Sequence, residues 1–356
     1  MSSLLHIKRY PPASDKSLRP WNAADELILE QLSEEEEGRL RNCLVIHDLF
    51  GYLSCQLNRF QAQSIITFDS QRMSLNKNIE SNELSSPIQH TVLEQWSSTK
   101  TVALKIPKSI DLFRLYLSRL VEVLDEDGVV YCGFMTRNFT PAWIKLTEEY
   151  FEEVGQSKAK KKARLMILKR PVVKETKLIQ QFVDDEGMEW QQYLGVFSAG
   201  RLDPASRFLM EEMEIPMGEM TVLDLGCGNG VLGKFIAKQN PQASLILVDD
   251  SELAIASAKL NVEGNHQFYC SADLSPIQEK SVDLIVCNPP FHFEYELNTD
   301  VAFRMFKEAN GILKDGGEFW VVANNNLPYK PELLKHFQKV EIVSKNRKFF
   351  IYRCSA

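Results

Sequence analysis

Glycine residues at three alternate positions form the clearest candidate for ligand binding in the sequence. Residues 221–225 are typical of a strand, and Gly226, Gly228 and Gly230 follow directly. Only glycine lets backbone come so close to a ligand, and a turn at a strand end lies in the crevice where open α/β sheets bind ligands. Counted on to Gly233, the stretch also fits the glycine pattern of NAD enzymes, and a purely structural tight turn is a further alternative. The glycines predict a ligand-binding turn without identifying the ligand.

Acidic residues around this turn favour S-adenosylmethionine over a dinucleotide. Asp224 can bind a cationic amine and would repel a pyrophosphate. Asp249 ends the next apolar run about 20 residues on, the spacing of ribose-binding acids. Its two oxygens can accept both ribose hydroxyls, and Asp250 competes for this role. Asp273 could accept from the adenine amino group or cap a turn. The predicted S-adenosylmethionine site comprises Asp224, Gly226, Gly228, Gly230, Asp249, Asp250, Asp273 and Asn288.

The motif Asn288-Pro289-Pro290-Phe291 predicts the chemistry beside that site. It ends a buried strand, and its prolines rigidify the turn and donate no hydrogen bonds. The side-chain oxygen of Asn288 and the carbonyl of Pro289 can each accept one N–H of a planar amine, while Phe291 stacks on the ring that bears it. Such positioning can account for much of the lowering of a methyl-transfer barrier without a strong base. We predict Asn288, Pro289, Pro290 and Phe291 as catalytic; His292 either helps to hold the base or lies at the surface.

Composition argues against several other function classes. Seven cysteines and six histidines show no metal-ligand spacing, so we predict free thiols and no metal site. Cys227 and Cys287 flank the motifs, and we interpret them as small buried residues rather than thiolate nucleophiles. No run approaches the ~20 apolar residues of a membrane span, which predicts a cytoplasmic protein. The net charge of -7 argues against indiscriminate coating of nucleic acid but is compatible with a local basic groove.

The elements that must position these residues alternate in a regular order. After residue 220, apolar strands alternate with helices and end in two closely spaced strands near Val340 and Phe350. This order predicts an α/β fold with a seven-stranded, mostly parallel sheet and an antiparallel end. The chain of 356 residues is long enough for two domains. Periodicity fades between residues 169 and 196, so we place a connection there and predict domains 1–174 and 175–356.

The first half repeats the signals of the second half with the chemistry missing, which predicts a degenerate second Rossmann-like domain. Asp69 corresponds to Asp249, and the segment 105–108 corresponds to the motif 288–291. Only one glycine, Gly51, stands where cofactor binding needs several. We predict that domain 1–174 binds no cofactor; the alternative is that any two α/β domains look alike at this level.

The most basic run of the chain is residues 158–164, which on an acidic protein is the best candidate for phosphate contact. The alternative is a solvated basic surface. The segment 345–348 is an additional candidate for RNA contact. The predicted RNA-binding residues are Lys160, Lys161, Lys162, Arg164, Lys105 and Lys108.

Three motifs together resemble those of the bacterial ribosomal RNA guanine-N2 methyltransferases: Val222-Leu-Asp-Leu-Gly-Cys-Gly-Asn-Gly230, Val248-Asp-Asp-Ser-Glu-Leu-Ala and Asn288-Pro-Pro-Phe-His292. The segments Arg9-Tyr-Pro-Pro-Ala, Trp21-Asn-Ala-Ala-Asp25-Glu and Lys160-Lys-Lys-Ala-Arg164 resemble the RlmG type, which acts on large-subunit rRNA, more than the RsmC type, which acts on the small subunit. The resemblance covers nearly the whole chain.

This resemblance implies a class I methyltransferase that methylates the exocyclic N2 amine of a guanine in 23S rRNA, with the base flipped out. It also implies a duplicated, cofactor-free N-terminal domain that helps to hold RNA, and a segment 196–208 that packs over the cofactor pocket. Ala199-Gly200-Arg201 departs from the family there, since an arginine followed by glycine is expected before Leu202-Asp203, so the contacts of this lid stay open. We expect a monomer.

Three other functions stand as alternatives. The chain could methylate a guanine of 16S rRNA. It could methylate the N5 amide of a protein glutamine, although that class usually resembles Asn-Pro-Pro-Tyr and lacks the long N-terminal half. From a different class, it could be a noncatalytic RNA-binding factor in ribosome assembly, against which the intact motif 288–291 argues.

Overall fold

A computed structural model of the protein describes residues 5–13, 15–198, 200–290, 292–293, 296–297 and 299–355. The chain divides into two compact units, residues 1–178 and 179–356. The division falls a few residues after the boundary predicted at 174. Each unit contains a seven-stranded sheet. None of the described helices is long and apolar enough to cross a membrane.

The N-terminal unit is an α/β sheet. Its strands are β1 (Leu44–Ile46), β2 (Gln63–Ile66), β3 (Gln89–Thr91), β4 (Thr99–Lys105), β5 (Leu124–Met135), β6 (Phe151–Gln156) and β7 (Ala163–Pro171). Its helices are α1 (Ala23–Leu32), α2 (Glu37–Leu40), α3 (Tyr52–Gln56), α4 (Asp69–Ser81), α5 (Ile110–Val123) and α6 (Pro141–Glu148), with short 3-10 turns at Asn58–Phe60 and Thr136–Asn138. The strand order is β3-β2-β1-β4-β5-β7-β6.

The C-terminal unit repeats this architecture with additions. Its strands are β8 (Ile179–Val183), β9 (Glu189–Tyr193), β10 (Met220–Leu225), β11 (Ala243–Asp249), β12 (Gln267–Cys270), β13 (Val282–Cys287), β14 (His292–Phe293), β15 (Glu296–Leu297), β16 (Leu313–Asn324), β17 (Lys339–Lys345) and β18 (Phe349–Ser355). Its helices are α7 (Pro204–Glu212), α8 (Val231–Gln239), α9 (Glu252–Asn261), α10 (Asp300–Ile312) and α11 (Tyr329–His336). The main sheet has the order β12-β11-β10-β13-β16-β18-β17.

Alternate residues of the central C-terminal strands fill two separate cores. Leu223 and Leu225 of β10 pack with Ile285 of β13, whereas Val222 packs with Val286 in the other core. Successive side chains of a strand point to opposite faces, and both faces are buried here, so these strands read as continuous apolar runs. The two cores fix the strands, and the carboxyl ends of the strands are therefore rigid supports for a site.

The prediction of a connection without regular structure between residues 169 and 196 was wrong at residues 169–171, 179–183 and 189–193, which are strands. Strands β8 and β9 form an antiparallel hairpin there. The hairpin is held to α9 because the backbone N–H groups of Gln191 and Tyr193 donate to the side chains of Asn261 and Ser257, each at 2.9 Å. Two side chains of β9 are buried, Trp190 and the polar Gln192. A polar residue at a buried position masks the alternation of apolar and polar residues that normally indicates a strand.

The two main sheets share their strand order and their irregularities. In each, five strands pair in parallel and the last two pair antiparallel. The pairing of β4 with β5 shifts register between Thr99 and Thr101, and the pairing of β13 with β16 shifts at the matching place between Val282 and Leu284. A shared bulge is a feature that two unrelated sheets have no physical reason to share. It supports the predicted duplication.

Candidate functional site

The glycine loop and the Asn288 turn leave the sheet side by side. Strands β10 and β13 are parallel neighbours, and Leu225 and Cys287 are register partners at their ends. Gly226 and Asn288 are the next residues, so they begin adjacent loops about one strand spacing apart, roughly 5 Å. The structure therefore brings together the two motifs that the sequence singled out.

The glycine loop is held against the neighbouring strand by its own backbone. The N–H groups of Gly226 and Cys227 donate to the carbonyl oxygen of Val248 at 2.8 and 3.0 Å. Gly228 has a φ of +54°, and a Cβ atom there would meet no described atom within 4 Å. Gly230 has a φ of +82°, and a Cβ atom there would lie 2.8 Å from the side chain of Val262. The loop is thus tied down on the protein side and open on the other, which fits a bound ligand.

Asp249 ends β11 beside this loop and uses both carboxylate oxygens. One oxygen accepts the N–H of Gly228 at 2.9 Å, and the other accepts the N–H of Ser251 at 2.9 Å. Burial raises the pKa of Asp249, and its effect exceeds that of the two backbone hydrogen bonds, which lower the pKa. A carboxylate offers about four acceptor positions, so each oxygen can still accept one hydroxyl. Asp250 is half-buried, and its carbonyl accepts from the thiol of Cys270.

Asp224 lies beneath the loop rather than on its surface. It is 2% exposed, and one carboxylate oxygen accepts the N–H of Gly233 in the first turn of α8 at 2.9 Å. The second oxygen is buried and makes no hydrogen bond to any described residue. Burial and the nearby Asp249 raise the pKa of Asp224 to about 7. A buried carboxylate of this kind gains from a cationic ligand, and the residues present thus fit a sulfonium donor.

Asp273 makes the turn contact that the sequence left as the alternative to adenine binding. Its carboxylate accepts the N–H of Ser275 at 3.0 Å, which is the local turn that aspartate commonly forms. The loop is also fixed by Arg304, which donates to the carbonyl of Ala272 at 2.7 Å. Contact of Asp273 with adenine stays a prediction.

The Asn288 side chain is anchored by two residues that the sequence analysis did not single out as catalytic. Its amide nitrogen donates to the carboxylate of Asp203 and to the hydroxyl of Ser206, both at 2.9 Å. Asp203 is the N-cap of α7 and also accepts the N–H groups of Ala205 and Ser206. With its nitrogen held on this side, the amide directs its oxygen the other way, as an acceptor needs. The N-cap signal of Asp203 before Pro204 was readable in the sequence, but its link to Asn288 was not.

A second set of unanticipated contacts supports the glycine loop. The side chain of Asn229 donates to Gln192 of β9 at 3.1 Å, and Asn261 of α9 donates to the carbonyl of Asn229 at 2.8 Å. Gln192 is fully buried. The hairpin and α9 thus hold the loop from below, which explains why a polar side chain occupies a core position of β9.

The rest of the Asn288 turn is described in part. Pro289 is buried and Pro290 is exposed. Phe291 lies outside the described residues, as does the side chain of His292, whose backbone begins β14. The stacking role of Phe291 and any role of His292 stay predictions.

The cysteines beside the motifs are not activated. Burial raises the pKa of both the Cys227 and the Cys287 thiol well above the ordinary value, and the nearby aspartates raise it further. Both thiols stay protonated at neutral pH, which agrees with the interpretation that neither is a nucleophile. The seven cysteines are free thiols. No group of three or more potential metal ligands occurs among the residues that the structure describes.

The predicted RNA-binding lysines of the N-terminal unit are mostly paired within that unit. Lys160 contacts Glu30 at 2.5 Å, and Lys161 contacts Glu26 at 2.9 Å. The largely buried Lys105 contacts Asp25 at 2.7 Å. All three acids belong to α1. RNA contact by these lysines stays a prediction, and their pairing lowers the positive potential that they present.

The remaining members of that set differ in their surroundings. Arg164 donates to the carbonyl of Ser157 at 2.9 Å. Lys162 and Lys108 are exposed. For Lys162, no ion pair with a described residue is formed.

Comparison with known proteins places both units in one family. Residues 2–172 match the RLMG N-terminal domain, and residues 188–353 match the methyltransferase small domain. The chain is 32% identical to the ribosomal RNA large subunit methyltransferase G of Psychromonas ingrahamii, over 98% of this chain and 96% of that protein. It is also 32% identical to the protein of the same name from Photobacterium profundum, over 98% and 96% of the two chains.

A solved structure of similar fold is the T. thermophilus 16S rRNA N2 G1207 methyltransferase RsmC in complex with AdoMet and guanosine. It is 21% identical, covers 97% of this chain and 94% of its own, and superposes with a TM-score of 0.75. At that identity the likeness shows a shared fold. The predicted fold class, two Rossmann-like units of which the C-terminal one is a methyltransferase domain, is confirmed. The strand-end site therefore lies in a methyltransferase domain, and the chain belongs to the ribosomal RNA large subunit methyltransferase G family.

Proposed function

We propose that the protein transfers the methyl group of S-adenosylmethionine to the exocyclic N2 amine of a guanine in 23S rRNA. The names of its relatives support ribosomal RNA of the large subunit as the substrate. The observation that carries the choice of an amine is the anchored Asn288 amide, whose nitrogen is engaged by Asp203 and Ser206. An acceptor oxygen fixed at a strand end suits an N–H donor.

The donor would lie across the ends of β10 and β11. Asp249 would bind the ribose hydroxyls with the acceptor capacity left over from Gly228 and Ser251. The free oxygen of Asp224 would face the positive charge of the methionine part. When bound, S-adenosylmethionine would supply a sulfonium methyl group whose carbon a neutral amine nitrogen can attack, with the sulfur leaving as a neutral thioether.

The chain's own residues orient the amine rather than activate it. The Asn288 oxygen and the Pro289 carbonyl would accept the two N–H groups of the guanine amine, so that the nitrogen lone pair points out of the plane toward the loop. The nitrogen gains a methyl group and loses one proton to solvent, since the methylated amine is a strong acid until it is deprotonated. Holding the reactants in line lowers the barrier to methyl transfer by on the order of 7 kcal/mol, which makes a strong base unnecessary. The target base must leave its stack to reach a strand-end crevice.

The test is methylation by the full-length protein of 23S and 16S rRNA taken from cells that lack it. The RNAs are digested and analysed by mass spectrometry. We expect N2-methylguanosine in 23S rRNA only, and its loss with Asn288→Ala, while thermal unfolding shows that the variant is folded.

Other outcomes would replace the proposal. Methylation confined to 16S rRNA would reassign the subunit. A methylated protein glutamine with unchanged rRNA would reassign the substrate class. Absence of methyl transfer to any of these, with RNA binding retained, would make the protein a noncatalytic binding factor.

A further inference from the structure

A cleft beside the catalytic strand ends carries positive charge that no established role explains. Its volume is about 710 Å³, and all its lining residues belong to the C-terminal unit. The walls are the turn after β8, the segment that leads into α7, the exposed face of α7 and the tip of the β17–β18 hairpin at residues 346–349.

The acidic residues of the cleft are already engaged. Asp184 accepts the N–H groups of Glu186 and Met188 and the indole N–H of Trp190, at 2.9 to 3.0 Å. Asp185 pairs with Arg207 at 2.7 Å, and Glu211 also lies close enough to raise the pKa of Arg207.

The other cations of the cleft are not neutralised in this way. Arg201, Arg347 and Lys348 are exposed, and none of them forms an ion pair with a residue that the structure describes. These three cations and Arg207 face three carboxylates in the lining, Asp184, Asp185 and Glu211, so the cleft has a net charge of +1, which attracts phosphate.

The hairpin tip that carries two of these cations is held rigidly. The side-chain oxygen of Asn346 accepts the N–H groups of Lys348 and Phe349 at 2.8 and 2.9 Å. Asn325, which follows β16, donates to the carbonyl of Arg347 at 2.7 Å, and its own N–H donates to the carbonyl of Lys348 at 2.9 Å. A tip fixed on both sides positions its cations before a ligand arrives, which lowers the entropic cost of binding.

Two aromatic side chains complete the lining. Phe208 of α7 and Phe349 at the start of β18 are half-buried at the cleft wall. Positive side chains next to aromatic rings that are accessible in part are the combination that binds single-stranded nucleic acid, because phosphates contact the cations and bases stack on the rings.

The cleft is coupled to the Asn288 turn by α7. Asp203 and Ser206 anchor Asn288, while the next residues, Arg207 and Phe208, line the cleft. The hairpin tip precedes β18, which pairs with β16, the neighbour of β13. Strands β18 and β13 are thus two strand spacings apart across the sheet, roughly 10 Å.

We propose that this cleft binds the single-stranded RNA that adjoins the target guanine, with backbone phosphates on Arg201, Arg347 and Lys348 and a base on Phe349. This inference rests on the proposed function. It assigns to the C-terminal unit an RNA contact of its own, at a strand that lies two positions from β13 in the sheet.

The test measures binding of 23S rRNA from cells lacking the protein, at several salt concentrations, by the full-length protein and two triple variants. Arg201→Ala/Arg347→Ala/Lys348→Ala removes the cleft cations. The control, Lys238→Ala/Lys259→Ala/Lys280→Ala, removes three exposed cations at the amino ends of the strands of the same sheet, where α8 and α9 end and β13 begins. Of the three, Lys280 pairs with Asp315 at 2.8 Å. Thermal unfolding confirms that both variants are folded.

We expect the cleft variant to lose about 100-fold in affinity near 0.1 M salt, and its salt slope to fall by about 2, since each phosphate contact on a single strand contributes about 0.7. The control should change little. Calorimetry should show unchanged binding of S-adenosylmethionine by the double variant Arg347→Ala/Lys348→Ala, which leaves the segment 196–208 intact. In a second measurement, ultraviolet crosslinking followed by mass spectrometry should place RNA on the peptide that contains Phe349.

Equal affinity and salt slope in the cleft variant and the control would overturn the inference while leaving the proposed function intact. Failure of the unsubstituted protein to bind or methylate rRNA would overturn both.

Discussion

The first strands of the two sheets end in the same backbone shape but in different chemistry. Gly51 begins α3 with a φ of +76°, and Gly230 begins α8 with a φ of +82°. Four residues earlier stand His47, with a φ of +61°, and Gly226, with a φ of +75°. The left-handed turn has been kept in the N-terminal unit, although a histidine now forms it.

Strand register identifies which chemistry is missing from the N-terminal unit. Ile46 pairs with Leu104, as Leu225 pairs with Cys287, so the next residue, Lys105, stands where Asn288 stands. This agrees with the pairing made from the sequence.

The sequence pairing of Asp69 with Asp249 was wrong. Ile46 pairs with Ile65, as Leu225 pairs with Val248. The residue that follows Ile65 is Ile66, and it stands where Asp249 stands; Asp69 lies three residues further on, at the start of α4.

The N-terminal crevice is also filled by its own side chains. The fully buried Tyr116 of α5 donates or accepts a hydrogen bond with Thr67 at 2.7 Å and contacts the ring nitrogen of His47 at 3.2 Å. In the C-terminal unit, the side chain of Met305 on α10 approaches the loop at Gly226 instead. This difference supports the prediction that the N-terminal unit binds no cofactor. It also shows how a fold outlasts its chemistry, since the cores need only apolar strands while the site needs particular strand-end residues.

The two buried aspartates near these turns make the same point. Asp48 accepts both the N–H and the hydroxyl of Ser54, at 2.8 and 2.9 Å, and burial raises its pKa to about 6. Asp224 receives one N–H and keeps an oxygen without a described partner. The N-terminal acid is satisfied by its own chain, whereas the C-terminal acid keeps one oxygen that no described residue satisfies.

The largest effect should come from Asp249→Ile, which places at this position of the C-terminal unit the residue type that Ile66 provides in the N-terminal unit. We expect donor affinity to fall by about 100-fold or more, because two hydrogen bonds to a charged group contribute roughly 1.5 kcal/mol or more each. Calorimetric titration with S-adenosylmethionine measures this. Asp69→Ala is the matched control and should leave donor affinity unchanged; an equal loss in both variants would contradict the register assigned above.

A smaller loss should follow when the Asn288 anchor is weakened. Asp203→Ala should lower kcat on the order of 100-fold, since small misplacements of a positioning group have effects of that size, and should cost α7 about 1 kcal/mol of capping. Ser206→Ala should lower kcat less, and Ser206→Thr should restore it because the hydroxyl returns. Single-turnover rates with saturating donor separate this from donor binding. If kcat stays unchanged while only the KM for donor rises, the two residues act on the donor and do not position Asn288.

The pH dependence of Asp224 should give a moderate effect. Its folded pKa of about 7 lies above the ordinary value of 3.8, so the folded protein binds the extra proton between those values. Without donor, the free energy of unfolding should therefore fall as pH rises from about 4 to 7. Donor affinity should rise over the upper part of the same range, because the ionised carboxylate favours a cation.

Asp224→Asn removes this titration, so the slope of donor affinity should flatten and the slope of the unfolding free energy should decrease to the part that Asp48, with its pKa of about 6, contributes. Urea unfolding and calorimetry across pH 5 to 8 check the two halves of the prediction. Identical slopes in the variant and the unsubstituted protein would assign the titration to another group, of which Asp249 is the nearest.

Local patterns in the sequence were enough to predict the strands, the glycine loop and the Asn288 turn, since each depends on neighbouring residues. The anchor was not predictable, because Asp203 and Asn288 are 85 residues apart and meet only in the folded sheet. The β8–β9 hairpin was missed because Gln192 faces the core. The charge of the basic run was overestimated because of sequence separation as well: the acid that pairs with Lys160 is 130 residues away in sequence.

The smallest effect should distinguish paired from unpaired lysines in the N-terminal unit. The side chains of Lys160 and Glu30 are about half exposed, and those of Lys161 and Glu26 are 69% and 39% exposed. Exposed pairs of this kind contribute about 0 to 1 kcal/mol. A phosphate that displaces a carboxylate exchanges one weak pair for another, so Lys160→Ala should change rRNA affinity by no more than about twofold. Lys162→Ala should weaken binding more and lower the salt slope by about 0.7. If Lys160→Ala had the larger effect, RNA would have to displace Glu30 of α1 from Lys160, and ion pairing would not keep that lysine from contacting RNA.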